Sequence, residues 1–281
     1  MRMIAKYRSM STDELLRYEA AVHDEHWAFD KGTFHPNKID LEEFWAVHDR
    51  PWKRRAYIRG WKMRRAFEMM GDLPGKRLLD VGCGPGTYTA VLATMGANTW
   101  GFDISPVAIE RAKITAEANG VADRCHFQVA SATDIPFDRE TFDIVFCGQV
   151  IHHLWKYPNV DSELHRVIKP GGILVFAEGI RSNPVYNAVR DLKRWAKREE
   201  PKGDIDWEYE DVMNFAAKFR EAHIEFYYLT LSFKDVIGRS RNQVLPIRTI
   251  FYVLDHFDEF LLRSLPGLNR YAKETSGRLI K

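Results

Sequence analysis

Cysteine is scarce in this sequence. The 281 residues contain only Cys83, Cys125 and Cys147, and no two of them form a CxxC pair. An odd number of widely spaced cysteines argues against a disulfide framework and against a structural zinc site. The pattern is typical of a protein from a reducing compartment, so we expect a cytoplasmic protein.

The sequence also lacks long apolar runs and an excess of either charge. No run approaches the roughly 18–20 apolar residues that cross a bilayer, and residues 1–8 do not read as a signal peptide, so we expect no membrane span. Lys and Arg number 41 against 39 for Asp and Glu, which gives no global reason to expect a nucleic-acid partner. No tight cluster of acids or histidines predicts a metal site.

The chain alternates strands with helices from Lys76 onward. Residues 1 to about 72 are predicted to be mainly helical, with a loop at 31–37 and a helix over 52–70. Strands are predicted at 77–81, 98–102, 126–130, 142–147 and 173–177, and helices at 87–95, 105–119 and 161–168. Ser105 is the predicted N-cap of the second of these helices, and Gly120 follows its end. Such a rhythm favours a parallel sheet with right-handed crossovers.

The regular pattern ends after Glu178. Helices are predicted at 187–200, 208–221 and 245–265, and strands at 223–233 and near 270–280. We therefore predict an N-terminal helical cap segment, 1–71, and a catalytic domain, 72–281. Within the domain we distinguish a core at 72–180, lid helices at about 181–221, and C-terminal strands and helices at 222–281.

The first strand of the core leads into a glycine-rich loop, Asp80-Val81-Gly82-Cys83-Gly84-Pro85-Gly86. Ligands of open parallel sheets bind at the carboxyl ends of the strands, and glycines let the backbone approach them. A dinucleotide fingerprint would need its third glycine at position 87, which is Thr87 here. The acid at position 80 also suits a ligand that carries positive charge better than a pyrophosphate.

The loop resembles motif I of the class I S-adenosylmethionine-dependent methyltransferases. Four further segments resemble the family's later motifs in the correct order, namely 100–105, 130–137, 142–154 and 164–172. The resemblance covers about residues 72–180 and includes the small-molecule methyltransferases of ubiquinone biosynthesis. It implies an α/β, Rossmann-like fold with a mainly parallel sheet of seven strands, flanked by helices and covered by N- and C-terminal helical lid elements.

The resemblance also implies a binding site for S-adenosyl-L-methionine. The residues carried over to this site are Asp80, Gly82, Cys83, Gly84, Gly86, Asp103, Ile104, Ser131, Ala132 and Gln149. Asp103 would hold the ribose hydroxyls, and Ile104 would lie beside the adenine. Ser131 departs from the family pattern, because many relatives carry an acid there to accept the adenine amino group, and Asp134 is an alternative acceptor. A small residue such as Cys83 is expected to pack beside the ligand rather than act as a nucleophile.

His152 and His153 follow the fourth strand of the core and are the candidate catalytic residues. A hydroxyl that attacks a methyl group benefits from a neighbouring base, and histidine titrates near neutral pH. The alternative interpretation is that the pair stabilises its loop, which is common in this family. Trp52, Tyr57 or Arg59, just before motif I, is a candidate to close over the cofactor.

The methyl acceptor is predicted only by class. Aromatic residues after Glu178 favour a largely apolar pocket, and these are Trp195, Trp207, Tyr209, Phe215, Phe226, Tyr227 and Tyr228. We expect O-methylation of a small apolar or aromatic acceptor. A peptide, protein or RNA methyltransferase and a non-catalytic S-adenosylmethionine-binding protein remain alternatives, the RNA case resting only on the basic residues at 52–67. The sequence does not determine the oligomeric state.

Overall fold

The computed structural model describes residues 10–28, 36, 38–53, 60–188, 191, 207–231 and 245–281. Most of the predicted loop at 31–37 and nearly all of the predicted charged helix at 187–200 lie outside these residues. So do Tyr57, Arg59 and Trp195.

The described helices and strands alternate through the central part of the chain. The helices are α1 (Thr12–Ala28), α2 (Leu41–Val47), α3 (Gly60–Met70), α4 (Thr87–Thr94), α5 (Pro106–Ala118), α6 (Ile151–Leu154), α7 (Val160–Val167), α8 (Tyr209–Ala216) and α9 (Leu245–Ser264). The strands are β1 (Arg77–Val81), β2 (Asn98–Asp103), β3 (Cys125–Val129), β4 (Phe142–Gly148), β5 (Ile168–Gly179), β6 (Glu221–Tyr227) and β7 (Glu274–Ile280).

The seven strands form one sheet in the order β3-β2-β1-β4-β5-β7-β6. β1 pairs in parallel with β2 and with β4, and β2 pairs in parallel with β3. The strand order reverses beside β1, where Asp80 faces Gly101 on one side and Phe146 on the other. This order confirms the predicted Rossmann-like sheet, and it places the end of β1 at the point where such sheets bind ligands.

Local sequence signals account for the start and end of α5. The Ser105 hydroxyl accepts the Ala108 N–H at 3.0 Å, Pro106 opens the helix, and Gly120 follows it with φ of 67°. These are the cap, the first-turn proline and the left-handed stop that the sequence predicts. The prediction of a helix starting at Trp52 is wrong, because Pro51–Lys53 form a turn and the described helix begins at Gly60.

The chain forms two compact units. The first comprises Met1–Ile39, Met70–Leu174 and Ile280–Lys281, and the second comprises Asp40–Met69 and Val175–Leu279. The boundary between the units falls within β5, so the start of this strand belongs to the first unit and its end to the second. The predicted division into a cap at 1–71 and a domain at 72–281 stays a prediction.

Several aromatic residues after Glu178 form the core of the second unit. Trp207, Phe215 and Tyr228 are each 1% exposed, and the Trp207 ring contacts Phe176 and Phe215. The prediction that Trp207 and Phe215 line a pocket is therefore corrected, because their rings pack in the core. Tyr228 does line a cavity in this unit, together with Phe226 and Tyr227. Among the helices described, none combines the length and the apolar character needed to cross a bilayer.

Candidate functional site

The loop after β1 lies at the carboxyl edge of the sheet and folds closely against the segment after β4. Gly82 has φ of 64°, and a Cβ on it would lie 2.4 Å from Cγ2 of Val150. Any larger residue would need both a strained backbone and a displaced Val150. The glycine thus brings the ends of β1 and β4 together around a narrow backbone turn.

Asp103 ties the end of β2 to the same loop. Its carboxylate accepts the N–H of Gly84 and the N–H of Ser105, each at 2.9 Å. One carboxylate therefore fixes the glycine loop and the start of α5. Its backbone carbonyl also accepts the Ala130 N–H at 3.0 Å, which brings the end of β3 to this edge.

The segment after β3 carries Ser131 and Ala132, two of the residues predicted to bind the cofactor. The Ser131 hydroxyl lies 2.8 Å from the Thr133 hydroxyl and accepts the Thr133 N–H at 3.2 Å. Ala132 is buried, and Ile104 after β2 is half-buried. Because Ser131 already shares its hydroxyl with Thr133, its adenine contact stays a prediction.

Asp80 is a buried carboxyl group at the centre of the edge. It is 3% exposed, and the Thr89 hydroxyl donates to it at 2.6 Å. Burial raises the pKa of Asp80 to about 7, despite the hydrogen bond from Thr89, and the nearby Asp103 charge adds to the rise. Near neutral pH, a cationic ligand at this edge would therefore favour release of the Asp80 proton and interact with the resulting carboxylate.

Cys83 lies inside the loop and is also buried. Burial raises the pKa of its thiol well above the usual range, and the charges of Asp80 and Asp103 act in the same direction. A thiol that stays protonated is a poor nucleophile. This environment fits the expectation that Cys83 packs beside a ligand.

The segment after β4 carries the candidate catalytic histidines. Gln149 adopts φ of 59°, a left-handed conformation that is rare for a residue other than glycine. It is followed by Val150, which lies against Gly82, and by α6. His152 and His153 lie on α6, half-buried, with their ring centroids 4.0 Å apart. The geometry thus brings the histidine pair next to the glycine loop.

The helix α1 lies against the histidine segment. Glu19 accepts the Tyr157 hydroxyl at 2.7 Å and forms an ion pair with Lys156. One turn later, His23 makes an edge contact with His153, with ring centroids 5.7 Å apart. These contacts anchor the middle of α1 beside the end of β4.

The last turn of α1 lies against the ends of β1 and β2. Asp24 accepts the Ser105 hydroxyl and the Val107 N–H, the latter at 3.3 Å. Trp27 contacts the glycine loop, because a Cβ on Gly84 would lie 3.2 Å from its Cζ2. The helix therefore runs across the carboxyl ends of the central strands.

Two comparisons with known proteins agree with this geometry. A methyltransferase-domain family profile matches residues 79–176. The 27-O-demethylrifamycin SV methyltransferase of Amycolatopsis mediterranei is 30% identical over 192 residues, which covers 66% of this chain and 69% of that protein. The chain belongs to the class I S-adenosylmethionine-dependent methyltransferases. This membership confirms the family and the cofactor inferred from motif I.

Two further comparisons cover different shares of this methyltransferase. The ubiquinone biosynthesis O-methyltransferase of Cereibacter sphaeroides is 32% identical over 143 residues, or 50% of this chain and 57% of that protein. The chain thus spans little more than half the length of this relative. The geranyl diphosphate C-methyltransferase of Streptomyces coelicolor superposes with a TM-score of 0.56 at 16% identity, covering 94% of this chain and 96% of that one. This likeness shows the fold alone.

The edge of the methyltransferase sheet fits the cofactor in shape and charge. Gly82 and Gly84 keep the backbone of the loop free of side chains, Asp80 and Asp103 supply carboxyl groups, and the indole N–H of Trp27 is buried without a partner among the described residues. Within the described ranges, no three His, Cys, Asp or Glu side chains come together as a metal site.

Sequence reasoning missed the contribution of α1 to this methyltransferase site. It considered Trp52, whose indole N–H is instead taken by Asp255 at 3.2 Å in the second unit. Glu19, His23 and Trp27 recur every four residues and so share one face of a helix, which was the available signal. The spacing alone does not say what that face contacts.

Cofactor binding to this methyltransferase should depend on pH through Asp80. The positive charge of S-adenosylmethionine favours ionised Asp80, so below pH 7 binding has to release a proton. We expect the affinity to rise by up to about tenfold per pH unit between pH 5 and 7 and then to level off. Isothermal titration calorimetry across this range, in buffers of different ionisation enthalpy, measures both the affinity and the released proton.

Two variants serve as comparisons for this pH profile. Asp80→Asn should flatten the profile, whereas the exposed Asp123→Asn should leave it unchanged. An equally steep profile in Asp80→Asn would contradict the assignment.

In the cofactor-free protein, the raised pKa of Asp80 stabilises the fold at acid pH, and this stabilisation is lost as the pH rises through about 7.

Proposed function

We propose that this protein transfers a methyl group from S-adenosylmethionine to the oxygen of a small, largely apolar or aromatic acceptor. The observation that carries the proposal is the position of His152 and His153 beside the glycine loop, in the same compact unit as Asp80 and Asp103. The named rifamycin and ubiquinone relatives, both O-methyltransferases, support oxygen as the acceptor atom.

The bound cofactor supplies an electrophilic methyl group on a positively charged sulfur. Held at the loop by Asp80 and Asp103, the cofactor would give this methyl group to the acceptor oxygen and leave as S-adenosylhomocysteine. Asp103 orients the ribose end, and Asp80 balances the cationic end. One of the two histidines accepts the hydroxyl proton, which makes the oxygen a better nucleophile.

The position of α1 supports a small acceptor. Its contacts through Glu19, Asp24 and Trp27 cover the carboxyl ends of β1, β2 and β4 within the first unit. A covered edge excludes water from the electrophile and removes the hydration shell of the nucleophile. A polymer would need an open groove along this edge.

The class of acceptor is tested with S-adenosylmethionine labelled in its methyl group. The full-length protein is incubated separately with phenolic and quinol compounds, with mixed peptides, and with RNA. We expect label in the small organic products, identified as methyl ethers by mass spectrometry. Label only in peptide or RNA would contradict the proposal, as would binding of the cofactor with no product from any class.

The role of the histidines is tested by exchanging each for glutamine. Loss of a general base typically costs 10²–10⁴-fold, so we expect one of His152→Gln and His153→Gln to lower kcat by about 100-fold or more. The affinity for S-adenosylhomocysteine should change by less than about twofold. Turnover is measured at saturating cofactor, with His126→Gln on β3 as the control. Unchanged turnover in both variants would exclude a catalytic histidine here.

A further inference from the structure

Trp27 has a buried polar atom that the fold leaves unused. Its Nε1 is inaccessible to solvent, and no described residue accepts its hydrogen bond. The ring is held in place by an edge contact with His26, with centroids 4.8 Å apart, and by its contact with Gly84. A buried N–H without an acceptor is costly, so native proteins rarely retain one without a reason.

The part of the Trp27 indole next to Nε1 approaches the glycine loop. Cζ2, Cη2 and Cε2 of Trp27 lie 3.2, 3.6 and 4.0 Å from the position of a Cβ on Gly84, and Cε2 is bonded to Nε1. The unused N–H is therefore one bond away from the part of the ring that approaches the loop.

The loop itself offers Trp27 no well-placed acceptor. The Cys83 carbonyl accepts the Gly86 N–H at 3.0 Å, and the Pro85 carbonyl accepts the Thr115 hydroxyl at 2.8 Å. The Gly84 carbonyl lies 3.7 Å from the Cys83 sulfur. None of these carbonyls accepts the Trp27 N–H, so a molecule bound at the loop can supply the missing acceptor.

We propose that the Trp27 indole N–H donates a hydrogen bond to the carboxylate of the methionine portion of S-adenosylmethionine. This inference rests on the proposed function, since it assumes that the loop binds this cofactor. It adds a residue of α1 to the cofactor-binding residues carried over from the family, which lie between Asp80 and Gln149.

Charge favours the carboxylate over the ribose as the acceptor. The side chains that reach this edge include three acids, Asp24, Asp80 and Asp103. The carboxylates of these acids accept hydrogen bonds from hydroxyl groups and attract positive charge, but they repel another carboxylate. The cofactor carboxylate therefore needs N–H donors, which the start of α4 and the Trp27 indole provide.

The test compares two ligands that differ in the amino-acid portion. S-adenosylhomocysteine carries the carboxylate, whereas 5′-methylthioadenosine has the same adenosine and thioether without it. Trp27→Phe keeps an aromatic ring and removes the N–H. A hydrogen bond to a charged group typically contributes tenfold or more in affinity. In isothermal titration calorimetry we expect Trp27→Phe to bind S-adenosylhomocysteine about tenfold more weakly and 5′-methylthioadenosine within twofold of the unaltered protein.

A second measurement leaves the protein unaltered. With ¹⁵N-labelled tryptophan, the Trp27 indole proton should shift downfield on addition of S-adenosylhomocysteine and not on addition of 5′-methylthioadenosine. Its signal is assigned by its absence from Trp27→Phe. Trp45→Phe on α2 is the matched control and should bind both ligands normally.

The outcomes separate this inference from the proposed function. Failure of the unaltered protein to bind S-adenosylhomocysteine would overturn the proposed function. If Trp27→Phe binds S-adenosylhomocysteine as tightly as the unaltered protein does, or loses affinity equally for both ligands, only the role of Trp27 towards the carboxylate would be overturned. The same holds if the indole signal does not move.

Discussion

Replacing Asp103 with alanine is expected to weaken binding of S-adenosylhomocysteine by at least about 100-fold. The substitution removes the predicted acceptor for the ribose hydroxyls. It also removes the carboxylate that holds the N–H groups of Gly84 and Ser105, each at 2.9 Å. Hydrogen bonds to charged groups contribute about 1.5–3 kcal/mol each. Losing the bonds to Gly84 and Ser105 should therefore disorder the loop, in addition to removing the contact with the ribose. Isothermal titration calorimetry on the purified protein measures the change.

Two further variants make the Asp103 result specific. Asp103→Asn keeps the shape and loses the charge, so we expect an intermediate loss of about tenfold. Asp123→Ala removes an exposed carboxylate in the turn before β3 and should bind normally. Near-normal binding by Asp103→Ala would show that this residue is not part of the cofactor site.

Replacing Gly86 with alanine is expected to destabilise the protein by about 2–5 kcal/mol. Gly86 has φ of 76°, and a Cβ on it would lie 2.8 Å from the Cβ and 2.9 Å from the Cα of the buried Ala112. The left-handed backbone costs about 1–2 kcal/mol for a residue other than glycine, and overpacking adds about 1–3 kcal/mol. Because Ala112 contributes backbone as well as side chain, the contact cannot be relieved by a rotamer change. Urea denaturation gives the free energy of unfolding.

Gly120→Ala is the matched control for this substitution. Gly120 has a similar φ of 67°, but a Cβ on it would meet nothing within 4 Å. It carries the backbone strain without the contact, so we expect a loss of only about 1 kcal/mol. Equal losses of unfolding free energy in the two variants would mean that the close contact between Gly86 and Ala112 of α5 does not contribute to stability.

Much of the fold could be predicted from the sequence because its signals are local. The β1 strand ends at an acid and three glycines within seven residues, and α5 begins at a serine and a proline. These residues restrict the backbone by sterics and by short-range hydrogen bonds, and so they act wherever the segment lies. The predicted start of a helix at Trp52 failed because apolar spacing does not mark the turn at Pro51–Lys53.

The candidate site could be predicted only in part. Asp80, Gly82 and Asp103 stand in a recognisable order, so the sequence places them together at one edge of the sheet. It does not reveal that Asp80 is buried enough to raise its pKa to about 7, because burial depends on every neighbour. It also assigned Trp207 to a pocket, although that ring fills the core.

The sequence by itself determined the family, the parallel sheet and the glycine loop after β1, because motif spacing and backbone sterics are properties of contiguous residues. Only the tertiary structure decided that α1 covers this loop and that Trp27 presents an unused N–H to it. Gly84 and Trp27 are 57 positions apart, and such contacts arise when distant segments exclude water together. No pattern within either segment encodes that meeting.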